Sequence, residues 1–522
     1  MKSTKKIYPI FYNFIAILFG VMMAGILFIN LFVANRREFP CKKKFLFSNI
    51  KLLIIGIVVF AILVVIYNKF IKKYVDKLTK KQCNILLLIY FFVTFILQIY
   101  IINKIFFLSG WDVGVLRGAA DQIAHGIKLN QGNDFYRKYL QVYPNNLFLL
   151  FVFVFISKIA CIFSINPHFL LALVGALSVN ISIIMLVKVV WKITRNKHAC
   201  VFAIFISVLF IMFSPWIVIP YSDTYAMVFT TSILYLYFYK EKMNKYIYLF
   251  LLTFFSFIGY KIKPTVIISL IAIIMVEIWN YLFSEKNANF KMTINKIFSI
   301  ILAISLVGVI CNLSKSYLGY ERNVDVETPM THFIMMGMND KMKGVYLQED
   351  VDYTASFRGI NKKKNANIKK IKKRIKHYGV LGYLQLLVDK TLINYDDGSF
   401  AWGIEGGFYQ ELTEDNSKLS TILKKIYYND GIYYHYFETY LQVIWLMILL
   451  LCFYSIFKIK NYKLLVIHLT IIGITIFLLL FEARARYLFL FSPYYLVLSC
   501  LGIIKIGSLK SEVYKNKRCC KI

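Results

Sequence analysis

Acidic side chains are scarce in this chain of 522 residues: 27 Asp and Glu stand against 62 Lys and Arg, a formal net charge of +35. Such a balance invites a polyanionic partner, but most of the Lys and Arg sit in short loops between apolar runs, where they orient a membrane protein. Nucleic acid is therefore not expected as a partner. Proline is rare, with nine residues, and no Pro- or Ser-rich linker or internal repeat divides the chain. No Gly-rich loop followed by Lys-Ser or Lys-Thr is present, which removes P-loop nucleotide chemistry. The nine cysteines show no paired metal spacing. Cys161, Cys200, Cys311, Cys452 and Cys500 lie in or beside apolar runs, where Cys acts as a small hydrophobe, so neither a disulfide framework nor a metal cage is expected.

What the chain has in abundance is apolar length. It is 59% hydrophobic and 17% aromatic, with mean hydropathy +0.62, and its repeated runs of about 20 apolar residues predict an all-α polytopic membrane protein. Spans are expected at 11–33, 51–68, 84–106, 168–191, 199–217, 223–239, 246–260, 264–283, 297–313, 439–457, 463–480 and 487–506, twelve in all. Lys2, Lys5 and Lys6 precede the first without a small-residue cleavage site, the pattern of a retained anchor. The run 147–163 is apolar but short, and it holds the key to the topology. If it does not cross, the clusters Lys192/Arg195/Lys197, Lys240/Lys242/Lys245, Lys286/Lys291/Lys296 and Lys458/Lys460/Lys463 share the cytoplasmic side with both termini. It is therefore read as a re-entrant or surface segment. Arg36, Arg37 and Lys42 to Lys44 then fall outside, against the charge rule. The chain divides into N-terminal helices 1–106, an external loop with surface helices 107–163, a transmembrane core 164–313, a small external α-rich region 314–437, and C-terminal helices with a basic tail 438–522.

In this topology the unusual polar motifs collect on the outer face: Trp111-Asp112, Pro220-Tyr-Ser-Asp-Thr224, Gly259-Tyr-Lys-Ile-Lys-Pro264 and Glu482-Ala-Arg-Ala-Arg-Tyr487. Ionisable residues within or beside spans are costly and line aqueous cavities. A carboxylate near fixed cations suits transfer of a group from a membrane-embedded phosphate ester: the carboxylate takes a proton from an acceptor hydroxyl, and the cations stabilise the departing phosphate. Arg offers bidentate phosphate contacts and Lys a point charge. Each motif also has a purely structural reading. Asp112 begins a helix whose apolar positions Val113, Leu116, Ala120, Ile123 and Ile127 share one face, so it is either an N-cap or a general base. Asp223 is either an N-cap for the next span or part of the site. Lys261 and Lys263 either snorkel to head groups or bind phosphate. Arg484 and Arg486, two arginines in a short outer loop beside Glu482, favour function.

The external region carries a basic helix from Lys362 to Lys376, with Ile368, Ile371 and Ile375 on one stripe; it either seats on anionic lipid or docks a polyanionic acceptor. His332 in a Met-rich stretch reads as a packed or interfacial histidine rather than a ligand, and Asp396-Asp-Gly-Ser399 as a turn.

These residues resemble a family. The acidic residue in the first large external loop (Trp111-Asp112), the Pro motif before a short apolar segment (Tyr143-Pro-Asn-Asn146), the acidic helix end Ser222-Asp223 and the Lys-containing end Lys261 to Pro264 are similar to those of the GT-C glycosyltransferases. The likeness is to protein O-mannosyltransferases and lipid A aminoarabinose transferases, and to their relatives in low-GC Gram-positive bacteria that decorate cell-wall polymers. It covers roughly residues 100–320 and, more loosely, the last spans. It departs where Asp112-Val113 replaces Asp-Glu and where Pro144-Asn-Asn-Leu147 replaces Pro-Pro-Leu. The resemblance implies a GT-C-like fold in the cell membrane, Asp112 as catalytic base, and Lys261, Lys263, Arg484 and Arg486 at the donor phosphate. Trp111, Asp121, Tyr143, Asn145, Asn146, Asp223 and Glu482 are further candidates for substrate contact. It implies a polyprenyl-phosphate sugar as donor and a cell-wall polymer or lipid-linked acceptor, with membrane lipids around the chain. No cofactor is required by the residues, and a divalent metal is left open. The rival functions are a transporter or flippase of lipid-linked oligosaccharide, and a polymerase or ligase acting on the same kind of lipid phosphate.

Overall fold

The computed structural model describes residues 4–34, 45–282, 290–406, 409–412, 415–456 and 462–504. The first passes are α1 (Thr4–Phe28), prolonged by a π-helical turn through Val33, then α2 (Asn49–Ile66), which continues through a second π turn into α3 (Lys72–Lys77), and α4 (Lys80–Ile105). A capping box at Thr79 and Gln82 opens α4, satisfying amides that the first helical turn leaves free. The strand β1 (Phe107–Ser109) leads into α5 (Trp111–Ala124), α6 (Asp134–Val142) and α7 (Leu147–Ile162). The centre is built from α8 (Pro167–Thr194), α9 (Lys197–Ser207), α10 (Ser222–Tyr239), α11 (Lys245–Ile262), α12 (Ile267–Leu282) and α13 (Phe290–Leu318). A layer at one end holds α14 (Met330–Met336), α15 (Gln348–Ala355), α16 (Ile360–Tyr395), β2 (Tyr409–Leu412) and α17 (Lys418–Tyr427). The chain returns through α18 (Tyr434–Ser455), α19 (Leu465–Leu480) and α20 (Ser492–Ile503).

Contacts between helix ends fix the direction of each pass. At one end, Asn49 of α2 donates to Asp396, Lys104 in the last turn of α4 pairs with Asp415 at 2.8 Å, and His168 in the first turn of α8 lies 3.1 Å from Asp121 of α5. At the opposite end, Lys197 of α9 donates to the carbonyls of Asp76 and Leu78, Lys192 and Lys463 both pair with Glu241, and Phe11 stacks on Trp279. Among the described residues twelve passes run between the ends, the number that hydropathy predicts. Eleven helices are long and apolar enough to cross a membrane, but they are not the same set: Pro144–Ile162 is among them, whereas α9 with its π turn is shorter and α10 is absent. α10 is largely internal, with Ser222, Asp223, Thr224, Thr230, Thr231 and Ser232 all buried. Packed among helices, it needs no continuous lipid-facing apolar surface.

α7 does not make a pass. Its start is held at the Asp112 end, where Asn146 donates to the Tyr139 hydroxyl of α6. Its last turn leads within four residues into the first turn of α8 at that same end, and Lys158 sits over Tyr317 at the end of α13. The charge conflict remains in place, because Asn30 and Asn49, which flank Arg36, Arg37 and Lys42 to Lys44, meet at the Asp112 end through a 2.8 Å hydrogen bond. Those five basic residues, together with Lys286, Lys458, Lys460 and the tail from 505, lie outside the described residues, and no side-chain description extends to Lys291.

The loop 107–163 and the region 314–437 are two units in the sequence reading, and one layer in the structure. β1 pairs antiparallel with β2, Phe107 opposite Leu412, the small exception to an all-helical chain. Thr328 donates to the Val142 carbonyl and Gln141 to that of Glu321. Part of 314–437 packs into the helix bundle: the Tyr395 hydroxyl lies between Thr475 and Tyr495, and the Trp216 indole donates to the Ser399 carbonyl. Asp396-Asp-Gly-Ser399 is a turn, with Asp397 accepting from the amides of Ser399 and Ala401, but it is buried in the bundle. A Cβ at Gly398 would stand 2.2 Å from the Leu441 carbonyl oxygen, so only glycine fits. His332 is a packed histidine, 2.7 Å from the Thr354 hydroxyl, with its pKa pushed down to about 4 by burial.

Candidate functional site

Five segments meet at the Asp112 end of the bundle. The first is the start of α5. Its N-cap is Gly110, with no side-chain capping bond, and Asp112 sits in the second helical position. The N-cap reading of Asp112 is therefore corrected, and the carboxylate is used otherwise: it accepts from the Tyr221 hydroxyl at 3.0 Å. Trp111 holds φ +44°, a left-handed conformation costly for a bulky side chain. In that conformation its indole packs edge-on against Tyr221, ring centroids 4.7 Å apart.

The second and third segments are the ends of α10 and α11. Asp223 is also not an N-cap, since that position is Tyr221. Its carboxylate pairs with Lys263, which is 5% exposed and lies 3.8 Å from the Tyr487 ring centroid. Lys263 follows the last turn of α11 with φ −149° and ψ 117°, and this extended residue turns its side chain into the bundle. Lys261, two residues earlier and still helical, sits over its neighbour Tyr260, with Cys311 of α13 nearby. It does not join Lys263.

The fourth segment follows α19. Arg484 is extended (φ −150°, ψ 104°), so Glu482, Arg484 and Arg486 alternate with the buried Ala483 and Ala485. This loop is pinned from the end layer: Ala483 donates to the Gly344 carbonyl, and the Lys390 amine donates to the carbonyls of Gly337 and Phe481. A Cβ on Gly337 would meet the Phe481 carbonyl at 2.3 Å. Burial pushes the Lys390 amine down to about 7, partly offset by Glu482.

The fifth segment is the turn Trp402–Gly406, entered through Phe400 and Ala401 at φ +56° and +60°. It delivers Glu405, which lies 2.9 Å from Arg486 Nε and 3.1 Å from Arg484 Nη1. Arg484 also pairs with Glu482 at 2.8 Å, and Arg486 approaches Asp223 at 3.5 Å. Three cations, Lys263, Arg484 and Arg486, thus interleave with three carboxylates, Asp223, Glu405 and Glu482. All are in poorly hydrated surroundings, where a charge without a partner is costly. The pairing is not complete in direction: Nε and Nη1 of Arg486 are buried with no aligned hydrogen-bond acceptor, and so is Nε1 of Trp111. The Arg486 guanidinium lies 4.5 Å from the Trp111 ring and 5.0 Å from that of Tyr221. Asp112 and Arg486 therefore share two aromatic neighbours.

The remaining candidates separate. Tyr143 stays at the rim, its phenol raised to about 12 by burial and by the Asp112 charge. Asn145 donates to Asn146, which donates to Tyr139; burial and Asp112 hold the Tyr139 phenol protonated. Asp121 is away from Asp112, paired with His168. Among the described residues no three His, Cys, Asp or Glu side chains converge as metal ligands. Three of the four carboxylates here already face Lys or Arg, so the donor set does not fit a divalent cation. Glu405 is the residue that sequence reasoning misses. Its only local signal is the glycine-bracketed Gly403-Ile-Glu-Gly-Gly407 stretch.

A family model described as a conserved hypothetical integral membrane protein matches residues 1–505. The chain belongs to this family. It is an integral, multi-pass membrane protein, as its apolar passes require. No curated protein and no solved structure matches it.

Proposed function

We propose that this integral membrane protein is an inverting glycosyltransferase that moves a sugar from a polyprenyl-phosphate donor to an extracytoplasmic acceptor, a cell-wall polysaccharide or teichoic acid. The observation that supports it most is the stack in which Arg486 covers Trp111 and Tyr221 while Tyr221 holds the Asp112 carboxylate. A base and a buried cation with unaligned N–H groups flank one aromatic surface, the arrangement that a neutral hydroxyl and a charged phosphate need side by side.

In this reaction the acceptor oxygen bonds to the anomeric carbon as its proton passes to Asp112. The bond from that carbon to the phosphate oxygen breaks, and the lipid phosphate leaves with the electron pair. Arg486 and Lys263 meet the charge that develops there, in a site with little water to screen it. Arg484, held by Glu405 and Glu482, positions Arg486 through their shared carboxylate. The Asp112 end faces outward in this reading, because Lys192, Arg195, Lys197, Lys240, Lys242, Lys245 and Lys463 gather at the other end. The resemblance of the Asp112 loop to GT-C enzymes supports the same chemistry.

The test is incubation of membranes with radiolabelled polyprenyl-phosphate sugars, followed by extraction of labelled polymer. Transfer by the wild type and its loss in Asp112→Asn are the expected results. Translocation of the lipid-linked sugar without any transfer would overturn the reading in favour of a transporter.

A further inference from the structure

The first two-thirds of α16 has three sides. Lys363, Asn367, Lys370 and Arg374 recur at steps of four, three and four and face the end layer. Lys363 donates to the Val326 carbonyl, Asn367 accepts from Thr354, and Lys370 and Arg374 both pair with the fully buried Asp350 at 2.8 Å. The packed side is thus the polar one. The Ile368 and Ile375 stripe, expected to seek cover, is left exposed at 40% and 46%. Beyond it, Lys362, Lys369, Lys372, Lys373 and Lys376 form an exposed comb, with no carboxylate in ion-pairing range among the described residues. At Gly379 the helix breaks (φ 57°, ψ −167°). The break presents Val380 and Leu381, 79% and 82% exposed, with Leu384 one turn on at 53%.

We propose that Lys362–Leu384 is an interfacial arm that lies on anionic phospholipid, its Val380-Leu381 tip among the acyl chains and its lysine comb on the head groups. Two observations select lipid over a protein partner. α16 packs against the π turn that ends α1, and Phe28 and Phe32 there are themselves exposed, so an apolar belt of the bundle lies alongside the helix that carries the tip. An apolar tip beside a row of lysines also matches a surface that is negative above and apolar beneath. The arm would fix the height of the end layer, and with it Lys390 and the Arg484 loop, relative to the bilayer. It does not depend on the reaction proposed for the site.

The test uses the full chain in nanodiscs of phosphatidylcholine alone or mixed with phosphatidylglycerol. A bimane is attached at Leu381→Cys in a chain whose native cysteines are replaced by serine or alanine. In anionic discs the label should be quenched by spin-labelled lipid and shielded from aqueous iodide. Neutralising Lys369, Lys372 and Lys376 to Gln should weaken this immersion roughly a hundredfold, at about 1 kcal/mol for each charge, with no effect in neutral discs. Because these three residues lie off the packed side, the thermal midpoint should stay unchanged. Equal iodide quenching in both lipid compositions would overturn the proposal. So would shielding that appears in neutral discs only when soluble polyphosphate is added, since the comb would then be a polymer dock.

Discussion

Arg486 stacks on Trp111, 4.5 Å from guanidinium carbon to ring centroid, and the indole it covers belongs to the residue immediately before Asp112. Any movement of the Arg486 loop therefore moves the surroundings of the carboxylate. The cation and the carboxylate are coupled through an aromatic pair rather than through a salt bridge.

Asp112→Asn keeps the size and the acceptor oxygen that Tyr221 needs, and α5 is capped by Gly110, so folding and membrane insertion should be unaffected. An amide takes up no proton. Glycosyl transfer should fall about 10²–10⁴-fold, the contribution of a positioned general base. Measurement of labelled polymer at equal protein expression checks this, and activity close to wild type would remove Asp112 from the proton-transfer role.

Arg486→Lys retains a positive charge opposite Asp223 and Glu405 but loses the planar stack on Trp111 and the paired N–H groups. The variant should fold, with donor turnover reduced by about 1.5–3 kcal/mol of transition-state stabilisation, roughly ten- to over a hundredfold. Arg486→Ala should instead lower stability, because it leaves buried carboxylates short of a cation. Comparing thermal midpoint with turnover for the two variants separates phosphate binding from structural pairing. Wild-type turnover in Arg486→Lys would deny the stack a part in the reaction.

Sidedness follows from the lysine end. A cysteine placed at Lys242 should be inaccessible to a membrane-impermeant maleimide in intact cells and react after permeabilisation, whereas one at exposed Lys376 should react in intact cells. The reverse pattern would turn the site toward the cytoplasm and exclude an extracytoplasmic acceptor.

Lys390 links the end layer to the Arg484 loop and predicts a pH effect. Its amine titrates at about 7 in the folded protein against 10.5 ordinarily, burial being the cause. Between these values the unfolded chain binds the extra proton, so stability should rise with pH from about 7 to 10.5, and the contribution is lost as pH falls through 7. Lys390→Met should remove this rise. Thermal unfolding of both proteins across pH 6.5–10 is the check, and parallel curves would place the amine in a more hydrated setting than the structure describes.

Hydropathy and charge by themselves determined the twelve passes, the short α7 and the gathering of Asp112, Asp223, Lys263 and the Glu482–Arg486 loop at one end. These are properties of local composition, read over windows as long as a bilayer is thick. The partners within that end were decided only by tertiary structure. Whether Lys261 or Lys263 turns inward depends on where α11 stops, because a helical residue and an extended one two positions later point in different directions. Asp112 and Asp223 resemble caps in sequence, yet the N-caps lie two residues earlier, at Gly110 and Tyr221, and leave both carboxylates to side chains. Glu405 has no periodic signal to mark it: two consecutive left-handed residues, Phe400 and Ala401, steer its turn toward Arg484 and Arg486. The need of buried charges for partners acts across the whole chain, and it becomes visible only when the distant segments are packed together.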